Sequence, residues 1–260
     1  MSNFDIIIQG PLHQNSVSNI DIYKKFGNVI FISWANDTKN IDLIQQIYDN
    51  GAFFIALDHT KITASSHNKQ NILKQSLSSY YGCKFSRNNY LIKLRSDEKY
   101  SDLEPLINKF SKNTNKIITS NIFFRKYIFY PYHISDHIIC GKKTNLENIF
   151  LNTIKLCTDM SYILNIGHRI SKLPPRYRLV AEQLITVGSI DHFIPNKKFI
   201  WTDKNFCTEY IKTYFDLIDV NELGNFLVSF KKGQNRIITS NSKDFLNPLT
   251  DIISSIEEYV

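Results

Sequence analysis

Short apolar runs recur along the first half of the chain. Each is followed by a longer polar stretch in which apolar residues return at helical spacing. The runs are Phe4 to Ile8, Asn28 to Ile32, Ala52 to Leu57, Tyr90 to Leu94, and a fifth from Lys116 to Thr119. Runs this short and this rich in Ile, Val and Phe predict buried parallel strands, because a strand covered on both faces has no solvent side to alternate with. Between them, Ser18 to Phe26, Ile41 to Tyr48, Ser65 to Tyr80 and Asp102 to Phe110 predict crossover helices. Strand and helix in strict alternation argue for a Rossmann-like α/β fold, a mostly parallel central sheet flanked by helices. Ligands of such sheets collect at the carboxyl ends of the strands. Here those ends carry Gln9, Gly10 and Pro11, then Trp34, then Asp58, then Arg95 and Asp97.

The second half is less regular. Phe123 to Tyr132 is strongly aromatic and reads as an irregular strand or a binding wall. Ile138 to Cys140 predicts a short strand, and Asn145 to Leu156 a helix. Pro174-Pro175 breaks the chain, Leu179 to Val187 predicts a short helix, and Ile252 to Tyr259 a closing one. No repeat, low-complexity tract or linker divides residues 1–260, so one domain is expected.

Composition fits a packed core: 43% of residues are hydrophobic and 21% charged, ordinary for a folded soluble chain. The formal charge of +7, from 31 Lys plus Arg against 24 Asp plus Glu, favours anionic partners without choosing among nucleotides, nucleic acid and acidic membrane. No block of like charges forms a nucleic-acid-binding tail. The four cysteines, Cys83, Cys140, Cys157 and Cys207, form no Cys-x-x-Cys pair. That pattern predicts free thiols in a reducing compartment. Residues 1–5 lack a basic region leading into an apolar segment, so no secretion signal is expected. No apolar run approaches the roughly 20 residues that span a bilayer.

The segment richest in chemistry is Lys93-Leu94-Arg95-Ser96-Asp97-Glu98. Side chains alternate along a strand, so Lys93, Arg95 and Asp97 share a face while it stays extended. Asp97 is a candidate ligand for a divalent cation bridging two phosphates. Arg95 is a candidate to neutralise phosphate or to orient Asp97. The alternative is a plain Arg95–Asp97 ion pair. Gly10, at the first strand end, lets backbone approach a ligand closely. Neither a Gly-x-Gly-x-x-Gly fingerprint nor a Walker loop accompanies it. Ser65 or Ser66 can cap a helix whose first turn offers Asn68, Lys69 and Gln70 to an anion.

Tyr132-His133-Ile134-Ser135-Asp136-His137, running on to Cys140-Gly141, offers Asp136 as a sugar contact or general base. It also offers His133, His137 and Cys140 as a zinc set that lacks a fourth ligand. Glu182 stands at a predicted helix start, either to deprotonate an acceptor hydroxyl or simply because the helix dipole favours a carboxylate there. His192 is a candidate to complete a metal shell with Asp97, or a surface histidine.

Taken together, Ile8-Gln9-Gly10-Pro11, Ile32-Ser33-Trp34, Asn68-Lys69-Gln70, Lys93-Leu94-Arg95-Ser96-Asp97, Tyr132-His133-Ile134-Ser135-Asp136 through Gly141, and Ala181-Glu182-Gln183 resemble the WavE family of lipopolysaccharide-synthesis glycosyltransferases. The resemblance spans about the first 200 residues. It implies a GT-A fold, with residues 1–120 as the nucleotide-sugar-binding half and 121–260 as the acceptor half. It implies a cytoplasmic hexosyltransferase, peripheral on the inner membrane face, serving lipopolysaccharide or other polysaccharide biosynthesis. The donor would be a nucleotide-diphosphate sugar, held with Mn²⁺ or Mg²⁺, and the acceptor a surface glycan or glycolipid. No nucleic-acid partner is expected. By this resemblance Gln9, Gly10, Pro11 and Trp34 border the nucleotide. Asn68, Lys69, Gln70, Lys93, Arg95 and Asp97 surround the diphosphate. Glu182 is the catalytic base, with Asp136 as its rival. Arg95 stands where the family pattern has the first Asp of Asp-x-Asp, which suggests a cation where a metal ligand is usual.

Two other classes fit parts of the pattern. A nucleotidyltransferase acting on sugar phosphates would need a second carboxylate beside Asp97 for two metals. Glu98 is adjacent but faces the other way if the strand continues. A basic nucleic-acid-binding module would use the charge and the aromatics alone.

Overall fold

The computed structural model describes residues 3–58, 70–122, 124–127, 130–174, 179–232 and 234–239. The first half runs β1 (Phe4–Gln9), α1 (Gln14–Ser18), α2 (Ile20–Tyr23), β2 (Asn28–Trp34), α3 (Ile41–Asp49), β3 (Phe53–Leu57), α4 (Gln70–Phe85), β4 (Tyr90–Arg95), β5 (Glu98–Tyr100), α5 (Glu104–Lys112) and β6 (Ile117–Ser120). Next come β7 (Ile139–Lys142), α6 (Lys143–Thr158), α7 (Met160–Arg169), β8 (Ile170–Ser171), α8 (Ala181–Phe193), β9 (Phe199–Ile200), α9 (Lys204–Tyr214), β10 (Phe215–Ile218), β11 (Phe226–Lys232) and β12 (Gln234–Thr239).

The apolar runs are strands, and all are largely buried except β3, the edge strand, which has no buried residue and leaves Phe53 54% exposed. Seven strands form the main sheet in the order β3-β2-β1-β4-β7-β6-β10. β7 runs antiparallel to both neighbours and the other pairings are parallel. The fold is thus α/β with a mostly parallel sheet flanked by helices. All six residues of β1 are buried. Ile7, Leu91, Ile117 and Ile139 pack on the side that carries α4, α6, α8 and α9. Ile6, Ile8, Ile92 and Leu94 pack on the other, with α2, α3 and α5. A second sheet, β12-β11-β5, is antiparallel, and β8 pairs with β9.

Glycine sets the spacing of the helical layer. A Cβ on Gly82 of α4 would meet Ile7 Cγ2 at 2.6 Å. One on Gly188 of α8 would meet Thr153 Oγ1 at 2.6 Å and the Ile149 carbonyl at 2.8 Å. α8 therefore crosses α6 at a distance only glycine permits, and that crossing aims the amino end of α8.

Several elements differ from the sequence reading. The helix expected over Ser18 to Phe26 is only α2 (Ile20–Tyr23), with a separate short helix, α1 (Gln14–Ser18), before it and Asn19 between them. The buried Asn19 amide donates to the Glu98 carbonyl at 3.0 Å, which one continuous helix need not allow. The short strand expected at Ile138 to Cys140 is β7, one residue later and antiparallel. α7, α9 and β10 carry no periodicity that the sequence reading used. Both helices nevertheless have aspartate caps: Asp159 accepts the Tyr162 N–H and Asp203 the Phe206 N–H, a local signal of a helix start. The closing helix expected at Ile252 to Tyr259 lies outside the described residues.

Gly188→Ala should destabilise the protein by about 1–3 kcal/mol through overpacking of α8 on α6. The measurement is the urea midpoint, expected to fall with an unchanged slope.

Candidate functional site

β4 carries the chemistry because its side chains alternate between the two cores. Ile92 and Leu94 face one, while Leu91, Lys93 and Arg95 face the side of α4 and α6. The strand ends at Arg95, and the chain turns at Ser96 and Asp97. The Ser96 N–H donates to the Gln9 carbonyl at 2.9 Å, and the Gly10 N–H to the Ile32 carbonyl at 3.1 Å. Gly10 has φ +132°, and a Cβ there would lie 2.4 Å from Ser96 Oγ. That conformation and that contact both require glycine. The tips of β1, β2 and β4 thus meet at one point.

Beyond the turn the chain does not continue as the same strand. Glu98 opens β5, and its carboxylate folds back instead of facing away. Arg95 is held between two acids. Its Nε and Nη2 donate to the two Asp97 oxygens at 3.0 and 2.8 Å. Nε also lies 3.0 Å from Glu98 Oε1. Burial disfavours the Arg95 charge, but the Asp97 hydrogen bonds and the Glu98 charge outweigh it and raise its pKa. For Asp97, burial pushes the pKa up, but the Arg95 hydrogen bonds and charge hold it below the usual carboxylate range.

A second layer lies beneath. Glu98, whose side chain is fully buried, accepts the Tyr100 hydroxyl at 2.7 Å and contacts His137 Nδ1 at 2.5 Å. His137 Nε2 lies 3.8 Å from Asp136 Oδ1. Asp136 Oδ2 accepts Gln75 Nε2 at 2.6 Å, and Lys93 Nζ donates to the Asp136 carbonyl. Burial lowers the Lys93 pKa to about 8. Burial alone would raise Asp136, but His137, Lys93 and Arg95 hold it far below the ordinary value. Buried ions grouped so closely are mutually paired because an unpaired one would be prohibitively costly.

Glu182, in the first turn of α8, reaches the same cluster. His133 Nε2 lies 3.8 Å from its Oε2. Burial and the Asp136 charge raise the Glu182 pKa to about 7. Gln183 fixes this helix start: it accepts the Val180 N–H at 3.3 Å and donates to the Pro131 carbonyl at 2.8 Å. One acid is thus held ionised and its neighbour close to half-protonated at neutral pH. Such a split marks carboxylates with different proton duties.

The structure brings Gln9, Gly10, Lys93, Arg95, Asp97, Asp136 and Glu182 into this region. Pro11 is exposed beside it. Trp34 ends β2, half-buried, with Lys74 Nζ 5.8 Å from its ring centroid. Asn68 and Lys69 lie outside the described residues, and Gln70 opens α4. Sequence reasoning missed Gln75, Lys74, His137 as the Glu98 partner, and Asp37. The Asp37 carboxylate accepts the Leu12 N–H at 3.0 Å and the Ser33 hydroxyl, tying the β1 loop to β2. Only Asp37 had a local signal, as an acid just after a strand end.

His192 does not join Asp97. It sits in the last turn of α8, with Nε2 3.1 Å from Asn145 Oδ1. Ten helical residues separate it from Glu182, about 15 Å. The neighbouring Lys143 N–H bonds the Asn89 carbonyl at the amino end of β4, the far end of that strand from Arg95. The zinc set also fails: Cys140 faces the α5 core, while His133 and His137 have carboxylate neighbours. Among the described residues no three His, Cys, Asp or Glu side chains are arranged to hold a metal.

The residues around Asp97 do not fit a divalent cation. Both of its oxygens already accept from the Arg95 guanidinium, a fixed positive charge that opposes a dication on the same carboxylate.

No family model and no curated protein sequence matches the chain. Solved structures with a similar arrangement of strands and helices include mouse xyloside xylosyltransferase 1, at 9% identity and TM-score 0.41, covering 76% of this chain and 84% of that one. A putative glucose-1-phosphate thymidylyltransferase from Bacillus anthracis matches at 9% identity and TM-score 0.44, covering 84% and 87%. Residues 1–349 of S. aureus TarS match at 10% identity and TM-score 0.42, covering 78% and 59%. These likenesses concern general architecture, and the functional reading rests on the site itself. Among the described residues no helix is long and apolar enough to cross a membrane.

The raised Glu182 pKa has a pH signature. Between about 4.5, its ordinary value, and about 7, the folded state keeps a proton that the unfolded chain releases. Stability therefore falls as pH rises through that window and stays lowered above it. Glu182→Gln should be more stable than the parent at pH 8, by about 1–3 kcal/mol, and no more stable at pH 4. Thermal melts of both proteins at the two pH values measure it.

Proposed function

We propose that this protein is a glycosyltransferase that moves a sugar from a nucleotide-diphosphate sugar to a hydroxyl of a surface glycan. The observation that carries the reading is the series of pairings that links Arg95 through Glu98, His137 and Asp136 to Glu182. A fixed cation lies at the carboxyl edge of a parallel sheet, and one cluster away stands a carboxylate whose pKa is near 7. Glycosyl transfer needs both: charge for the departing diphosphate and a base for the incoming hydroxyl.

In the proposed reaction the nucleotide lies along the tips of β1 and β2, beside Gln9, Gly10, Pro11 and Trp34. Lys74, near Trp34, adds positive charge on that side. Glu182 takes the acceptor's proton as the acceptor oxygen attacks the anomeric carbon. The bond from that carbon to the diphosphate oxygen breaks, and the electron pair leaves with the nucleoside diphosphate. Arg95 stabilises the charge that develops there. Asp136 is buried and tied up by Gln75 and His137, so its part is to set the Glu182 pKa, and Glu182 is the base. A single base on the acceptor side corresponds to inversion. A hexose as the transferred sugar, a lipopolysaccharide or capsule-like acceptor, and work at the cytoplasmic face of a membrane follow from the WavE resemblance. The sugar-phosphate nucleotidyltransferase reading is weaker, since it needs two metals where the structure has Arg95.

The test is a screen of UDP-, GDP-, dTDP- and CMP-sugars by calorimetry, followed by turnover with the sugar that binds. Glu182→Gln should bind that donor within about twofold of the parent and lose about 100-fold or more in turnover. Parent kcat/KM should rise with pH through about 7 and level off, since a base must be deprotonated to act. Full turnover in Glu182→Gln would remove Glu182 as the base, and no binding across the screen would remove the donor assignment.

A further inference from the structure

The turn after β4 is built around a cation held by acids. Arg95 has five N–H donors in a rigid fork. Asp97 and Glu98 engage Nε and one side of Nη2. Among the contacts of the described residues, Nη1 has no protein partner. The Arg95 side chain keeps 27% of its surface exposed and that of Asp97 22%, whereas that of Glu98 has none. Glu98 thus anchors the fork from inside and Asp97 from the side, and among the described residues nothing anchors the Nη1 end. A planar guanidinium edge with parallel N–H groups matches the oxygens of a phosphate group. Below it Lys93, completely buried, is turned to the Asp136 carbonyl and adds a second fixed positive charge.

We propose that the donor's diphosphate binds here without a divalent ion, at the Nη1 end of Arg95, with Asp97 and Glu98 as positioning residues for that guanidinium. The inference rests on the nucleotide-sugar reading above and gives Asp97 a different task from a metal ligand. A ligand to Mn²⁺ works by offering its oxygens to the ion. A positioning acid works by keeping Arg95 in one rotamer, so its loss weakens binding equally with and without metal.

The experiment is calorimetric titration of the whole chain with UDP, GDP, CDP and dTDP, each once in EDTA and once in Mn²⁺. The nucleotide that binds should do so with affinities within about threefold in the two media. Arg95→Gln should weaken it by about tenfold or more in both, and Asp97→Asn by a smaller factor that is the same in both. Circular dichroism and melting of each variant establish that it is folded. If Arg95→Gln does not fold, inorganic pyrophosphate titrated into the parent in EDTA replaces it and should compete with the nucleotide. Binding that needs Mn²⁺, or an Asp97→Asn variant that loses only a Mn²⁺-dependent part, would overturn the inference while leaving the donor assignment standing. Failure of every nucleotide in both media would overturn the donor assignment, and the inference with it.

Discussion

The carboxyl edge of the sheet is organised by one ion, the Arg95 guanidinium fixed between Asp97 and Glu98. The constraint begins with burial. The Glu98 carboxylate has no solvent at all, so it must find partners among Arg95, His137 and Tyr100. Breaking a buried pair by removing one partner typically costs about 3–5 kcal/mol, because the other charge is left stranded. That penalty holds the turn after β4 in one shape. It keeps Asp97 at the rim and fixes His137, through which Asp136 is set. Asp136 then acts on Glu182 by charge. Pairings that answer desolvation thus run from the strand tip to the amino end of α8.

The scaffold delivers these groups without strain in the helical layer. Gly82 and Gly188 let α4 and α8 approach their neighbours closely. Gln75 on α4 and Glu182 on α8 therefore reach the same cluster from two sides. Gly10 does the corresponding task in the loops, where its positive φ and missing Cβ let the Ser96 turn sit against the β1 tip. Three glycines at close approaches thus bring together groups from β1, β4, α4 and α8. A largely apolar hollow of about 390 Å³ beside α7, lined by Leu164, Leu173 and Leu184 among others, contains none of the candidate site residues.

Much of the architecture was legible in the sequence because its causes are local. A strand buried on both faces needs a continuous apolar run, and β1, β2, β4 and β6 each show one; β3 has such a run too, yet as the edge strand it has no buried residue. The Lys93 and Arg95 alternation was legible for the same reason, whereas Asp97 lies past the strand, in the turn. The site's pairings were not, because they depend on contacts between distant residues. His137 meets Glu98 across 39 positions and Gln75 meets Asp136 across 61. No spacing rule links residues that far apart. Glu98 was misjudged by extending β4 through a turn that exists because Ser96 bonds the Gln9 backbone. His192 was misjudged because a late histidine carries no sign of which end of the sheet it reaches; it lies ten residues along α8 from Glu182, about 15 Å away.

The most direct test is a crystal structure of the protein grown with whichever nucleoside diphosphate it binds. The account predicts a phosphate oxygen within about 3.2 Å of Arg95 Nη1, the Asp97 fork intact, and the open side of the anomeric position turned toward Glu182. A nucleotide lodged elsewhere, or a diphosphate held by an ion on Asp97 with Arg95 swung away, would contradict it.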